Sequence, residues 1–291
     1  MVVSPVDTQQ LSHLLGTPVA SVTAVGGGSI CQARRARLSD GRTVFVKTRP
    51  DAPPGFFEAE ACGLKQLAAA RYGVPVPQVL AYDSHCLILE WIPTAAPSKQ
   101  AAIRFGRALA ATHRHGNEVF GSVHGDGWVG NLTLPGGPWD SWVAMWRYGR
   151  IEPYLQAARK AGAIDKRSQA DIERVLVELP RLAGPPEAPA LLHGELWAGN
   201  VLWAEDGTTY LIDPAVHGGH RESDLALLSL FGMPHLDRVL DAYHDAWPLA
   251  DGWRDRVALH QLCPVLAHAV LFGGSYGARA GQLARLALRM G

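Results

Sequence analysis

The sequence predicts an α+β fold in two lobes: a β-rich lobe of antiparallel strands over residues 1–94 and a mainly helical lobe over residues 95–291. Three observations predict it. A chain of 291 residues that is 47% hydrophobic has the material for two cores rather than one. Residues 18–47 read as three Val- and Thr-rich strands, separated by a glycine run and by the turn pair Asp40-Gly41. From Ser98 onward the pattern is helical, interrupted by one short strand pair between residues 190 and 213.

Residues 7–15 predict a short helix capped by Asp7 or Thr8. Strands are expected over 18–25, 30–38 and 43–47, with Gly26-Gly27-Gly28-Ser29 between the first two. Strand, glycine run, strand, turn and a strand ending in Lys47 is the layout of a phosphate-covering loop beside a lysine. Glycines have no Cβ to keep backbone N–H groups away from phosphate oxygens. The run is not a P-loop, because no Gly-Lys-Ser/Thr follows and no helix begins there. Taken alone, a glycine run marks any flexible turn, and Lys47 reads as a surface lysine. A helix is expected over 56–72, with Phe57, Ala61, Leu64 and Leu67 on one face. Glu58 and Glu60 sit in its first turns, where carboxylates suit the helix dipole. Glu60, beside the apolar stripe, could instead pair with Lys47. Strands over 79–82 and 86–91 complete the first lobe, and Ile92-Pro93-Thr94 leads out of it.

The second lobe begins with a helix over 98–115, capped by Ser98. The glycine-rich segment 120–138 carries His124, Asp126, Trp128 and Asn131, and its length suits a functional loop. Helices follow over 139–161, kinked at Pro153, and over 165–182. The last helices are expected near 221–232, 235–247, 253–273 and 278–290.

Between these sets lies the stretch that carries chemistry, His193-Gly-Glu-Leu-Trp-Ala-Gly-Asn200. An apolar run precedes it. Val201-Leu-Trp203, the turn Asp206-Gly207 and Tyr210-Leu-Ile212 form a hairpin that ends at Asp213. The hairpin brings Glu195, Asn200 and Asp213 toward one point. A carboxylate to orient a hydroxyl, with an amide and a carboxylate to hold a divalent metal, equips a site for phosphoryl transfer from ATP. Any one of these residues is unremarkable in a polar loop. Their joint spacing has no structural reason to exist.

Composition narrows the partners. Lys+Arg and Asp+Glu both number 27, and net charge zero argues against a nucleic-acid binder with a broad basic face. Arg34, Arg35 and Arg37 read as a solvated strand edge. No stretch has the length and apolarity of a membrane span, and the N-terminus lacks a signal-peptide pattern. The four cysteines are widely spaced with no CxxC pair, as expected of a cytoplasmic protein. No expectation about oligomeric state follows.

These motifs together resemble the protein-kinase-like fold, in its branch of small-molecule kinases, and more closely the fructosamine kinase (ketosamine-3-kinase) family. The resemblance is carried by Leu191-Leu-His-Gly-Glu-Leu-Trp-Ala-Gly-Asn200, Asp213-Pro-Ala, Gly219-His-Arg-Glu-Ser-Asp-Leu-Ala226, Phe231-Gly232, Val44-Phe-Val-Lys47 and Phe56-Phe-Glu-Ala-Glu60. It implies a bilobal ATP- and Mg²⁺-dependent kinase acting on the 3-hydroxyl of a small-molecule or protein-linked ketosamine. Carried over by position, Lys47 would bind the α/β-phosphates, Glu60 would orient it, and Gly26, Gly27, Gly28 and Ser29 would cover the phosphates. Glu90, Trp91 and Ile92 would form the hinge against adenine. Asn200 and Asp213 would hold Mg²⁺, and Glu195 would be the catalytic carboxylate. Trp197 would line the sugar-amine site, with His217 or Trp128. Asp224 would brace the catalytic loop or cap its helix. Two positions depart from the family pattern: Glu195 stands where the family has Asp, and Cys31 follows Ile30 where the family commonly has Cys before it. Two rival readings follow. One is an aminoglycoside or amino-alcohol kinase of the same fold; the other is a nucleotide-binding pseudokinase, suggested by Glu195.

Overall fold

A computed structural model describes residues 7–26 and 30–290. The first layer is a five-stranded antiparallel sheet in the order β1-β2-β3-β5-β4. Its strands are β1 (Val19–Ala24), β2 (Gln32–Leu38), β3 (Thr43–Thr48), β4 (Val79–Tyr82) and β5 (Cys86–Glu90). Helix α1 (Thr8–Leu15) covers one face, and its cap Asp7 accepts from the N–H groups of Gln9 and Gln10 at 2.9 and 3.1 Å. Helix α2 (Phe56–Ala68) covers the other.

Strand alternation sorts side chains between these faces. Val44, Val46, Cys86 and Ile88 pack with Leu11 and Leu38 on the α1 side. Phe45, Leu87 and Leu89 pack with Phe57, Ala61 and Leu64 on the α2 side. Lys47, two residues beyond Phe45, therefore projects toward α2. The two-residue period of the strand aims the lysine at Glu60.

The second lobe has two apolar cores. Helix α3 (Lys99–His115) packs with α7 (Glu222–Leu230), α8 (Leu236–Ala246) and a hairpin of β9 (Val201–Trp203) and β10 (Thr209–Leu211). Gly106 of α3 lies so close to the Val239 carbonyl of α8 that any Cβ would collide. The other core joins the helical run 142–160 to α6 (Lys166–Leu182), α9 (Trp253–Phe272) and α10 (Tyr276–Met290).

Four elements differ from the sequence expectation. Helix α2 stops at Ala68, four residues early, because the chain turns with Tyr72 at φ 61°. That turn delivers the Val74 N–H to Thr112 Oγ1 at 2.9 Å. The segment 120–138 contains a hairpin, β6 (Gly127–Val129) with β7 (Leu132–Leu134). Strand β11 (His217–Gly219), paired with β8 (Ala190–Leu192), has no β-propensity to reveal it. Finally, the expected kink at Pro153 is a change of helix type. Trp142–Ala144 (α4) leads into π-turns over Met145–Ile151, and α5 (Glu152–Lys160) resumes with Pro153 in its first turn.

Candidate active site

Three elements converge on one buried cation. Lys47 of β3 places Nζ 2.7 Å from Glu60 Oε2 of α2 and 3.0 Å from Asp213 Oδ1 beyond β10. Burial opposes the lysine charge, but Glu60 and Asp213 outweigh it, and its pKa is raised. Glu60 is raised too, by burial first, and its Oε1 has no partner. Asp213 sits at φ 54°, a left-handed conformation that a non-glycine residue adopts at a cost. Such strain persists where the surroundings dictate it. Here Ala215 N–H to His193 O at 2.9 Å and Ile212 N–H to Asn200 O at 3.1 Å clamp both sides of Asp213.

The loop after β8 is held by a single carboxylate. Asp224, buried in the first turn of α7, accepts from the N–H groups of His193 and Gly194 at 2.7 and 3.0 Å and lies 3.2 Å from His113 Nε2. It therefore braces the loop. His193 Nε2 donates to Ile212 O at 2.9 Å, which leaves Nδ1 to accept the Glu195 N–H at 3.2 Å. Burial lowers the His193 pKa, in keeping with a neutral bracing ring. Gly194, at φ 83°, has no space for a Cβ beside the Ala215 carbonyl. Asn200 Nδ2 donates to Glu195 O at 2.8 Å, leaving its amide oxygen available as a metal ligand.

Glu195 lines two cavities. The larger, of about 530 Å³, also contains Lys47, Glu60, Asn200, Asp213, Trp128 and Trp197. The smaller, of about 70 Å³, also contains Trp197 and His217. Among the described residues no hydrogen bond stabilises the Glu195 carboxylate, and its pKa is pushed up to about 8, by desolvation first and then by Asp213. His217 Nδ1 donates to Ala215 O at 2.8 Å, and burial lowers its pKa to about 3, so the ring is neutral with Nε2 as an acceptor. Trp197 is 38% exposed at the cleft and meets Phe231 edge-on at 6.0 Å.

Other candidates are not brought to this point. Gly27, Gly28 and Ser29 lie outside the described residues, and Gly26 lies two residues beyond β1. Glu90, Trp91 and Ile92 line neither cavity. Glu90 accepts from Gln78 N–H at 3.2 Å, Arg35 covers the Trp91 ring at 5.1 Å, and Ile92 is buried. Cys31 does line the larger cavity, but burial pushes its thiol up to about 11, opposite to a reactive thiolate. The smaller cavity contains residues that sequence reading passed over: Trp142, Trp146, Arg150 and Tyr154. Their constant spacing of four was the available signal.

A second charged cluster lies beneath α7. Among the described residues, His220, Glu222 and His260 form the one group whose ligand atoms could surround a metal, within 4.8 Å of one another. Arg256 already forks onto Glu222 at 2.6 and 2.9 Å, so the carboxylate has its cation. The cluster ties α7 to α9.

The chain matches the fructosamine kinase family model over residues 4–290. It is 35% identical to a "probable ketoamine kinase" of Enterococcus faecium, covering 90% of this chain and 93% of that protein. The crystal structure of a "putative fructosamine-3-kinase" of Thermobifida fusca superposes with a TM-score of 0.92, at 46% identity over 98% of this chain and 99% of that one. An aminoglycoside phosphotransferase in ternary complex with ADP and hygromycin B shares the fold, with a TM-score of 0.67 at 18% identity over 99% of both chains.

Proposed function

Because the chain belongs to the fructosamine kinase family, we propose that it transfers the γ-phosphoryl group of ATP to the 3-hydroxyl of a ketosamine sugar. The observation that carries this reading is the position of Glu195, shared by a cleft with a Lys47–Glu60–Asp213 cluster and a second cavity walled by aromatic and polar groups. One faces the phosphate donor and the other the acceptor.

Lys47, held by Glu60, contacts the α/β-phosphates. Asn200 and Asp213 are the residues to hold Mg²⁺. Their surroundings fit a divalent cation: Glu60, Asp213 and Glu195 face one lysine, and two of the three carboxyls are raised in pKa, by desolvation first and then by the neighbouring Asp213. Bound there, Mg²⁺ supplies neutralisation of the β- and γ-phosphate charge. Glu195 orients the acceptor hydroxyl and takes its proton; desolvation makes its carboxylate a stronger base than a free one. Asp224 fixes the backbone from which Glu195 projects, and positioning is the main contribution a protein makes to this reaction.

The test is ATP consumption with fructosyl-lysine and ribulosyl-lysine beside aminoglycosides and amino alcohols. Turnover on the ketosamines is expected, with the phosphate on the 3-oxygen by NMR. Nucleotide binding without turnover on any ketosamine would favour the pseudokinase; turnover restricted to amino alcohols would favour the related kinase.

A further inference from the structure

The smaller cavity holds a buried cation without a counter-ion. Arg150 is 3% exposed. Its Nη1 donates to the carbonyls of Pro135 and Gly149 at 2.8 and 3.0 Å, and no carboxylate forms an ion pair with it among the described residues. Pro153, four residues beyond Gly149, has no N–H to offer that carbonyl, and the guanidinium takes it instead. Beside Arg150, Trp142 Nε1 is buried with no acceptor. Across the cavity stand the Nε2 acceptor of His217 and the Glu195 carboxylate. A guanidinium, an indole N–H without a partner, an acceptor and aromatic walls suit a neutral polyhydroxyl chain.

The helix is built to present this set. Trp142, Trp146, Arg150 and Tyr154 are four residues apart and line one cavity. On an α-helix, a spacing of four drifts by about 40° per step. The i→i+5 bonds of the π-turns over Met145–Ile151 open the helix and counter that drift, keeping all four on one side.

We propose that this cavity binds the tail hydroxyls of the ketosamine sugar, the carbons beyond the reacting 3-hydroxyl, through Arg150 and Trp142. The larger cavity carries the carboxylates of Glu58, Glu60, Asp126 and Asp213, so the ammonium is drawn to that open cleft and the sugar enters the smaller cavity tail first. Arg150 thereby sets sugar-length preference, whereas the amine can carry a group of any size. The inference rests on the ketosamine kinase reading above, and the experiment separates the two.

The measurement is kcat and KM for lysine carrying a fructosyl, ribulosyl or erythrulosyl group, with six, five and four sugar carbons. In the parent, turnover on any of the three upholds the kinase reading; absence of turnover on all three brings that reading down, and this inference with it. Arg150→Met is expected to lose about 10- to 100-fold in kcat/KM on fructosyl-lysine, mostly in KM, less on ribulosyl-lysine and under threefold on erythrulosyl-lysine, with KM for ATP unchanged. Arg150→Lys should recover part of the fructosyl loss. Equal losses on all three acceptors, or no loss on fructosyl-lysine, overturn the proposal. If Arg150→Met fails to fold, Trp142→Phe makes the same comparison. It removes the orphan N–H while keeping an aromatic ring, and must give a fructosyl-selective loss of at least about threefold, or the proposal falls.

Discussion

Two buried charge clusters in this molecule have opposite balances. Around Lys47, one cation faces the carboxylates of Glu60, Asp213 and Glu195, and the pKa of Glu60 rises to about 7 and that of Glu195 to about 8. Around α7, each carboxylate has partners of its own. Glu222 takes both arms of the Arg256 fork and lies 3.3 Å from His260 Nε2. Burial alone would raise its pKa, but the Arg256 fork and the neighbouring His260 win, and it falls to about 2. Asp224 is likewise lowered against burial, through its bonds to His113 and the His193 backbone. In the first cluster three carboxyls share one lysine. In the second both carboxylates have counter-charges or donors as folded. The difference separates residues that do chemistry from residues that hold them, although both sets are buried, charged and close together.

The largest effect expected from breaking the first cluster is on turnover alone. Asp213→Ala should lower kcat by at least about 10²–10³-fold, the scale of losing a principal electrostatic contact to the transition state. Its melting temperature should change little, because removing a carboxylate from a site already rich in them relieves repulsion. Breaking the second cluster should do the reverse. Glu222→Gln leaves Arg256 without its counter-charge and should cost about 3–5 kcal/mol of stability, read by chemical denaturation, with kcat of the folded fraction little changed. If Glu222→Gln lost activity without losing stability, the two clusters would not differ in kind. Lys47→Met sharpens the contrast. It should weaken ATP use by about 10²-fold while altering thermal stability far less; equal loss of both would place Lys47 with the braces.

The legible part of this molecule was the part encoded locally. Glu195, Asn200 and Asp213 fall within nineteen residues joined by a turn at Asp206-Gly207, so the hairpin alone brings them near one another. The Lys47–Glu60 contact needed one more step, the two-residue period of β3 against the start of α2. The remainder depended on contacts distant in sequence or on irregular backbone. The Arg35 guanidinium over the Trp91 ring joins residues far apart in sequence. The burial that raises the Cys31 thiol is likewise set by the fold around it. Arg150 was harder to read because its face is defined by π-turns, whereas a 3.6-residue period carries a spacing of four about 40° off line at each step.

Glu195 gives the smallest effect and the finest test of the comparison. A carboxyl raised from 4.5 to about 8 binds its proton more tightly in the folded state than in the unfolded one. The native protein therefore loses stability as pH climbs from about 4.5 to about 8, and none further above that. Glu195→Gln removes this loss. Each pK unit is about 1.4 kcal/mol, which sets a ceiling near 5 kcal/mol. Water at the cleft mouth reduces it, and a gain of about 1–3 kcal/mol at pH 8 is expected, vanishing near pH 4.5. The same variant should lower kcat by at least about tenfold, since general bases contribute about 10²–10⁴. Stability gained where activity is lost marks a residue of the first cluster; the Glu222→Gln variant moves the other way. Glu195→Asp then measures reach. The extra methylene of Glu adds about 1.5 Å, and a shift of about 1 Å at a reacting group can cost on the order of 100-fold. The loop pinned by Asp224 has a fixed backbone. If that backbone is set for the longer side chain, Asp will be slower than Glu; if it is not, Asp will be faster. Should both the Gln and Asp variants match the parent on a ketosamine, Glu195 is not the catalytic carboxylate. The role would then pass to Asp126, which lines the same cavity and holds the Gly136 N–H at 2.9 Å.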